Sequence, residues 1–135
     1  MKRLRLLMPA LLLGMACAQP ATGRAGAEGY TPSPVHDEVG LASWYGDPFH
    51  GRRTASGVLF DKRTMVAAHP TLPFGTRVRV HRLATGSTVE VEIVDRGPAP
   101  GPRRSGVVID LSEAAAEQLG FIRAGRTRVR IEVLQ

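Results

Sequence analysis

The side chains best placed to do chemistry are four aspartates in loops or at the ends of expected strands: Asp47, Asp61, Asp95 and Asp110. Carboxyl groups held at such positions on a rigid scaffold are typical proton donors and acceptors of enzymes. Asp47 precedes a proline and is expected to serve a turn. The glutamates after Gly40 lie on polar strand faces or on an expected helix, where solvated carboxylates are common. Asp61, Asp95 and Asp110 therefore remain as candidate acid and base groups.

Two of the four histidines accompany these aspartates. His69 ends the apolar segment 66–68 and precedes Pro70, whereas His50 lies in a loop after Phe49. No His-x-x-x-His spacing, cysteine cluster, nucleophile elbow, phosphate-binding loop or dinucleotide fingerprint is found beside them. The sequence therefore predicts carboxylate and histidine chemistry with no metal and no cofactor.

The elements that must hold these groups are mostly strands. Segments 77–82, 89–93 and 128–133 alternate apolar and charged residues, which predicts half-buried strands with one wet face. Arginines on the first and glutamates on the second are expected to pair across a hairpin. Shorter strands are expected at 41–45, 64–68 and 107–110. Ser112 as N-cap and Gly120 as stop signal predict one helix between them, so the expected fold is mainly β, a six-stranded barrel with one short helix.

The N-terminus has the pattern of an export signal. Three basic residues among the first five precede the apolar run 6–18, which at 13 residues is too short to span a bilayer. Residues 13–17 (LGMAC) resemble a bacterial lipobox, so Cys17 is the expected lipidation site and membrane anchor. A competing Ala-x-Ala cleavage site at 16–18 would release a soluble protein instead.

The chain is expected to have three parts: a lipoprotein signal peptide (1–16), a flexible tether rich in Pro and Gly (17–39) and one domain (40–135). The chain ends at Gln135, directly after the last expected strand, so no C-terminal targeting domain is expected.

Composition limits the class of partner. Eighteen basic and 12 acidic residues give a net charge of +6, and a single cysteine excludes an internal disulfide. Basic residues cluster near the C-terminus, a pattern that also occurs in nucleic-acid-binding proteins. These residues are Arg123, Arg126, Arg128 and Arg130. The export signal argues against nucleic acid as a partner. We expect a monomer that is located in the bacterial envelope.

Several short motifs resemble the rare lipoprotein A family in the order in which that family carries them. They are ASWYG (42–46), FHGR (49–52), TASG (54–57), FD (60–61), AAH (67–69), LPFGT (72–76), DRGP (95–98) and IDLS (109–112). The resemblance covers essentially the whole of 40–135 and is therefore specific.

This resemblance implies a six-stranded double-psi β-barrel related to the expansin barrel. It also implies a bacterial envelope protein, lipid-anchored on the periplasmic side of the outer membrane, or soluble if cleaved at the alternative site. Characterised family members are lytic transglycosylases that cut peptidoglycan glycan strands, preferring strands without stem peptides. The implied reaction cleaves the β-1,4 bond from N-acetylmuramic acid (MurNAc) to N-acetylglucosamine (GlcNAc) and leaves a 1,6-anhydro end.

Carried over by position, the family's catalytic cluster falls on Asp61, His69 and Asp95, with a glutamate after the glycine of the TASG segment. That position is Val58 here, and valine can neither donate nor accept a proton. The resemblance therefore leaves Asp95 or Asp61 as the acid. The expected substrate-binding residues are Trp44, Tyr45, His50, Arg96 and Asp110.

Two further classes of function stay open on the sequence alone. The valine at position 58 favours a non-catalytic, expansin-like module that binds peptidoglycan through its aromatic side chains. A structural envelope protein acting through protein partners is the other, although no separate partner-binding segment supports it.

Overall fold

The computed structural model describes residues 37–134, so the expected signal peptide, Cys17 and most of the expected tether lie outside the described residues. Six strands and two α-helices follow one another in this range, with a single 3₁₀ turn at Asp47–Phe49. The strands are β1 (Asp37–Tyr45), β2 (Val66–Ala68), β3 (Arg77–Arg82), β4 (Thr88–Asp95), β5 (Val107–Ser112) and β6 (Thr127–Leu134). The helices are α1 (Pro100–Arg104) and α2 (Glu113–Leu119).

The six strands form a closed barrel in the order β1-β5-β2-β4-β3-β6, with β6 returning to β1. The pairs β1–β5 and β2–β4 are parallel, and the other four pairs are antiparallel. Closure leaves no exposed sheet edge. The expected six-stranded barrel is therefore confirmed.

Alternation of side chains explains the barrel's core. Val78 and Val80 of β3 are fully buried, whereas the neighbouring Arg77 and Arg79 point outward and both bind Glu90 of β4, at 3.1 and 2.9 Å. These are the cross-strand pairs that the sequence predicts. The apolar sides of β3, β4, β5 and β6 fill the interior together with Phe121, which gives the domain a single core.

The helix α2 closes one side of this core as the sequence predicts. The Ser112 hydroxyl accepts a hydrogen bond from the Ala115 N–H at 3.3 Å, and Gly120 ends the helix in the left-handed conformation with φ 78°. Ala115, Ala116 and Leu119 are buried against the strands.

Two features differ from the sequence expectation. The strand β1 begins at Asp37, three residues before the expected domain boundary at Gly40, because Asp37 pairs with Glu132 of β6 and binds Arg130 at 3.1 Å. The helix α1 is additional: its Pro- and Gly-rich sequence is typical of a loop, but Pro100 occupies a helix start, where proline is tolerated.

In the part of the chain that the structure describes, no helix combines the length and apolar character needed to cross a membrane.

Candidate active site

Four neighbouring strands bring four residues to one level of the barrel. Ser43 of β1 lies beside Asp110 of β5, and Ala68 of β2 lies beside both Asp110 and Asp95 of β4. Adjacent strands are about 4.8 Å apart, so the two aspartates flank Ala68 across two strand spacings. The small Ala68 side chain is buried there, and Gly97 packs closely against it.

A β-bulge gives Asp95 its position. The register between β2 and β4 shifts after Ala67, which pairs with Ile93, so that Ala68 pairs with Asp95 and Val94 is the extra residue. Bulges commonly redirect a side chain beside a functional site. Without the shift, Asp95 would continue the inward series of Val91 and Ile93 into the core.

Both carboxyl groups line a cleft of about 560 Å³. Trp44, Tyr45 and Phe49 contribute aromatic side chains to its lining, while α1 and the segment before it contribute Arg103 and Pro98. A cleft with aromatic side chains and a few convergent polar groups is the usual form of a binding site for a sugar or another small ligand.

Asp110 lies half-buried in this cleft and accepts a hydrogen bond from the Ser43 hydroxyl. Burial raises the pKa of the Asp110 carboxyl above its usual range; the Ser43 hydrogen bond and the Arg126 charge oppose the rise, and the Asp95 charge adds to it. Gly97 approaches closely, since a Cβ there would lie 3.0 Å from Asp110 Oδ2. These surroundings favour the protonated form of Asp110.

Asp95 lies in a different environment. Its Oδ1 accepts hydrogen bonds from the backbone N–H groups of Ala55, at 2.9 Å, and Arg96, at 2.8 Å. The cleft therefore holds two carboxyl groups in different surroundings, one half-buried beside a hydroxyl group and one held by two backbone N–H groups.

Tyr45 is the last residue of β1 and lines the same cleft as this pair. Its ring stacks on Phe60, with centroids 4.2 Å apart, and meets the edge of Phe49 at 5.7 Å. Burial raises the pKa of the Tyr45 phenol far above its usual value, and the charges of Asp95 and Asp110 raise it further. The phenol therefore stays protonated.

His69 is only 3% exposed and is not among the residues that line the cleft. Its Nδ1 accepts the backbone N–H groups of Thr71, at 3.2 Å, and Leu72, at 3.1 Å, which places the ring proton on Nε2. Nε2 lies 2.9 Å from Glu38 Oε2 and donates to it. Both ring nitrogens are thus occupied in binding the 69–72 segment to β1.

Arg96 supports the same segment from the cleft side. Its guanidinium donates to the carbonyl oxygens of His69, at 3.3 Å, and Leu72, at 2.8 Å, and lies 3.9 Å above the Phe74 ring. The side chain lines the cleft but is held by these contacts. Its role in the structure is to fix the strand end that carries Asp95.

Asp61 and His50 form a separate group outside the cleft lining. Hydrogen bonds from the Arg63 side chain and backbone hold the pKa of Asp61 below its usual range. His50 Nδ1 accepts the Lys62 N–H at 3.3 Å and lies 3.8 Å from Asp61 Oδ1. An ionised carboxylate paired with arginine is a poor proton donor near neutral pH.

Val58 lies on a short hairpin, residues 53–59, closed by the pairing of Arg53 with Leu59. Its carbonyl accepts both the N–H and the hydroxyl of Thr54, and its side chain is 51% exposed. The same hairpin donates the Ala55 N–H to Asp95. A second hydrogen bond, from the Ser56 N–H to the Val94 carbonyl at 3.2 Å, also links this hairpin to β4.

The structure thus divides the residues selected from the sequence. Trp44, Tyr45, Asp95, Arg96 and Asp110 line one cleft, whereas Asp61, His69 and His50 lie outside its lining. Sequence reasoning assigned no role to two residues that belong to the site.

These two are Ser43 and Arg103. Ser43 is part of a quoted motif, and its position two residues before Tyr45 on a strand puts both side chains on the same face. Arg103 carried no signal, because the sequence predicted a single helix, between Ser112 and Gly120, and none at 100–104.

Comparison with known proteins places the chain in a family. The sequence profile of the lytic transglycolase family matches residues 37–131. The chain therefore belongs to the lytic transglycolase family.

Three relatives carry similar names. The "probable endolytic peptidoglycan transglycosylase RlpA" of Synechocystis is 51% identical over 96 residues, 71% of this chain and 29% of that protein. The "endolytic peptidoglycan transglycosylase RlpA" of Neisseria meningitidis is 44% identical over 106 residues (76% and 43%), and that of Pseudomonas aeruginosa 47% over 109 residues (77% and 31%). The chain spans less than half the length of these relatives.

Solved structures show the same fold at low identity. A Streptomyces papain inhibitor superposes with a TM-score of 0.58 at 23% identity, covering 76% of this chain and 98% of that one. The expansin of Clavibacter michiganensis gives 0.55 at 21%, covering 73% and 50%. The double-psi β-barrel expected from the resemblance is confirmed.

Proposed function

We propose that the protein is a lytic transglycosylase that cleaves the MurNAc-β-1,4-GlcNAc bond of peptidoglycan glycan strands, preferring strands without stem peptides. The observation that carries the proposal is the pair of aspartates in one cleft, with opposite environments. Burial raises the pKa of the half-buried Asp110 carboxyl, while the Asp95 carboxyl accepts hydrogen bonds from two backbone N–H groups. Two carboxyl groups held in different surroundings within one cleft are a typical acid and base pair.

In the proposed reaction, Asp110 transfers its proton to the glycosidic oxygen, and the bond from this oxygen to C1 of MurNAc breaks. The 6-hydroxyl oxygen of the same MurNAc bonds to C1, and the hydroxyl proton passes to the Asp95 carboxylate. The products are a 1,6-anhydroMurNAc end and a free 4-hydroxyl on GlcNAc, without consumption of water. Proton exchange with solvent returns Asp95 and Asp110 to their starting states.

This assignment changes the acid named on the sequence. The resemblance pointed to Asp95 or Asp61. However, hydrogen bonds from Arg63 hold the pKa of Asp61 below its usual range, and Asp61 lies outside the cleft lining. We assign Asp110 as the acid and Asp95 as the base. Trp44 and Phe49 are assigned as the aromatic side chains that contact the sugar rings. His69 and Arg96 act through the strand end that they hold.

The test uses purified protein and glycan strands stripped of stem peptides, with mass spectrometry of the soluble products. We expect sugars ending in 1,6-anhydroMurNAc from the wild type and a loss of at least about 100-fold in Asp110→Asn and Asp95→Asn. Asp61→Asn is the matched control and retains activity. An active Asp110→Asn variant beside an inactive Asp61→Asn variant would overturn the assignment.

A second candidate function is a glycan-binding module without catalysis, favoured by the exposed Val58 at the position of the family's glutamate. In this case the protein sediments with peptidoglycan and releases no anhydro sugars. Trp44→Ala then weakens sedimentation, whereas Asp110→Asn leaves it unchanged.

We further propose that the protein is a monomer in the bacterial envelope, lipid-anchored through Cys17 to the periplasmic side of the outer membrane. The supporting pattern is the apolar run 6–18 with its lipobox-like end. Expression with labelled palmitate tests the anchor: the wild type takes up label and Cys17→Ser does not. Label in neither protein favours cleavage at 16–18 and a soluble protein, whereas equal labelling of both would contradict lipidation at Cys17. Light scattering tests the oligomeric state.

A further inference from the structure

Tyr45, which lines the cleft, has a buried hydroxyl group without a hydrogen-bond partner in the described part of the chain. Burying an unpaired hydroxyl costs about 1–3 kcal/mol, so such groups are rare in folded proteins and call for an explanation. The charges of Asp95 and Asp110 both act on this phenol.

Tyr45 lines the same cleft as the two carboxyl groups. Ser43 and Tyr45 are two residues apart on β1 and therefore point to the same side of the strand. Ser43 already binds Asp110 on that side. The stacked Phe60 ring and the edge contact with Phe49 hold the Tyr45 ring in place, so the hydroxyl cannot turn out to solvent.

Three other donors around the pair already bind its carboxyl groups. The backbone N–H groups of Ala55 and Arg96 bind Asp95, and the Ser43 hydroxyl binds Asp110. The guanidinium groups nearby make no hydrogen bond to either carboxyl group within the described range. They belong to Arg96 after β4, Arg103 of α1 and Arg126 before β6.

We propose that Tyr45 is a positioning residue for the two carboxyl groups, whose hydroxyl donates a hydrogen bond to the pair once Asp110 has lost its proton. Two ionised carboxylates in one cleft repel each other, and a donor placed in advance offsets that repulsion. The phenol has no competing partner to leave, so the bond requires only that a carboxyl side chain turns towards it, while the strands of the barrel stay in place. The kinetic consequence of the proposal rests on the proposed function, but the hydrogen bond itself does not.

The first test measures the bond without catalysis. Carboxyl carbon chemical shifts of the full-length protein, followed by NMR across pH, give the two apparent pKa values of the Asp95–Asp110 pair. Tyr45→Phe keeps the ring and its stacking. We expect the upper apparent pKa to rise by at least about 0.5 in this variant, because the doubly ionised pair has lost a donor. An unchanged upper value would overturn the proposal.

The second test measures turnover and stability of the same variant. We expect kcat to fall about tenfold or more with KM within about twofold, and the alkaline limb of the kcat/KM profile to move to higher pH. The melting temperature should stay equal or rise, because an unpaired buried hydroxyl has been removed. A lower melting temperature with unchanged kcat would show a purely structural hydroxyl and overturn the proposal.

A matched control removes a hydroxyl elsewhere. Thr85→Val, in the turn between β3 and β4, deletes a hydroxyl that contacts Ser87 at the surface. It should change neither the pair's apparent pKa values nor kcat. If the wild type releases no anhydro sugars, the proposed function fails, whereas the NMR result still decides the role of Tyr45.

Discussion

The imidazole of His69 can be dissected by substitutions that imitate one ring nitrogen at a time. It makes three hydrogen bonds: two accepted by Nδ1 from Thr71 and Leu72, and one donated by Nε2 to Glu38. At about 1 kcal/mol each, their loss in His69→Ala should destabilise the protein by about 3 kcal/mol. For a domain of this size that corresponds to a fall in melting temperature of about 12–24 °C.

Two polar variants should divide this loss. Asparagine carries an oxygen near the place of Nδ1, so His69→Asn keeps the backbone contacts and loses only the Glu38 bond, about 1 kcal/mol. Glutamine reaches the place of Nε2, so His69→Gln keeps the Glu38 contact and loses about 2 kcal/mol. The expected order of stability is therefore wild type, His69→Asn, His69→Gln, His69→Ala.

Thermal and urea unfolding followed by circular dichroism measure this order. Turnover separates the role of His69 as a support from the catalytic role implied by the resemblance. If His69 only holds the 69–72 segment, to which the Arg96 guanidinium is bound, folded His69→Asn should keep an unchanged pH profile. A His69→Asn protein as unstable as His69→Ala would refute the tautomer argument. A stable variant that loses one limb of the profile would make His69 an acid or base.

Three further predictions follow from the cleft. Burial raises the pKa of Asp110 in the folded protein, so its contribution to stability is present below the unfolded value and lost as pH rises through the folded value. Asp110→Asn should therefore melt higher than the wild type at pH 7, with the difference vanishing in acid; a lower melting temperature at pH 7 would contradict this. Val58→Glu adds a carboxylate to the hairpin that binds Asp95 and should raise turnover about tenfold or more. Leu59→Glu, at the neighbouring and more exposed position, is the control and should not raise turnover. Equal rates for the two variants would show that position 58 does not belong to the site. Gly97→Ala places a Cβ 3.0 Å from Asp110 Oδ2 and should lower kcat, while Gly101→Ala, with nothing within 4 Å, serves as the control; equal kcat values would show that the carboxyl tolerates the crowding.

The sequence predicts the barrel well because its information is local. The alternation in β3, β4 and β6 and the caps at Ser112 and Gly120 each depend on neighbouring residues only. The helix α1 escaped prediction because proline and glycine dominate its five residues. For the same reason, the sequence did not predict that Arg103 of α1 lines the cleft.

The membership of the site was harder to predict, because it depends on register between distant strands. Asp61 and Asp95 look alike in the sequence, each following an apolar residue. Only the pairing of Ala68 with both Asp95 and Asp110 shows which carboxyl groups share a cleft. Likewise, no local pattern reveals that Glu38 and two backbone N–H groups occupy the ring of His69.

The strand order also governs when the cleft can exist during folding. The four cleft residues Ser43, Asp110, Ala68 and Asp95 come from β1, β5, β2 and β4. None of the pairings between these strands joins strands that are consecutive in the sequence. Closure further requires β1 to meet β6, at the far end of the domain. Pairing strands that are distant in the sequence costs loop-closure entropy before the contacts can stabilise the chain. Folding of such a domain is therefore expected to take about milliseconds to seconds. The two carboxyl groups therefore come together only in the complete barrel, and no shorter fragment of the domain can carry the proposed acid and base together on their scaffold.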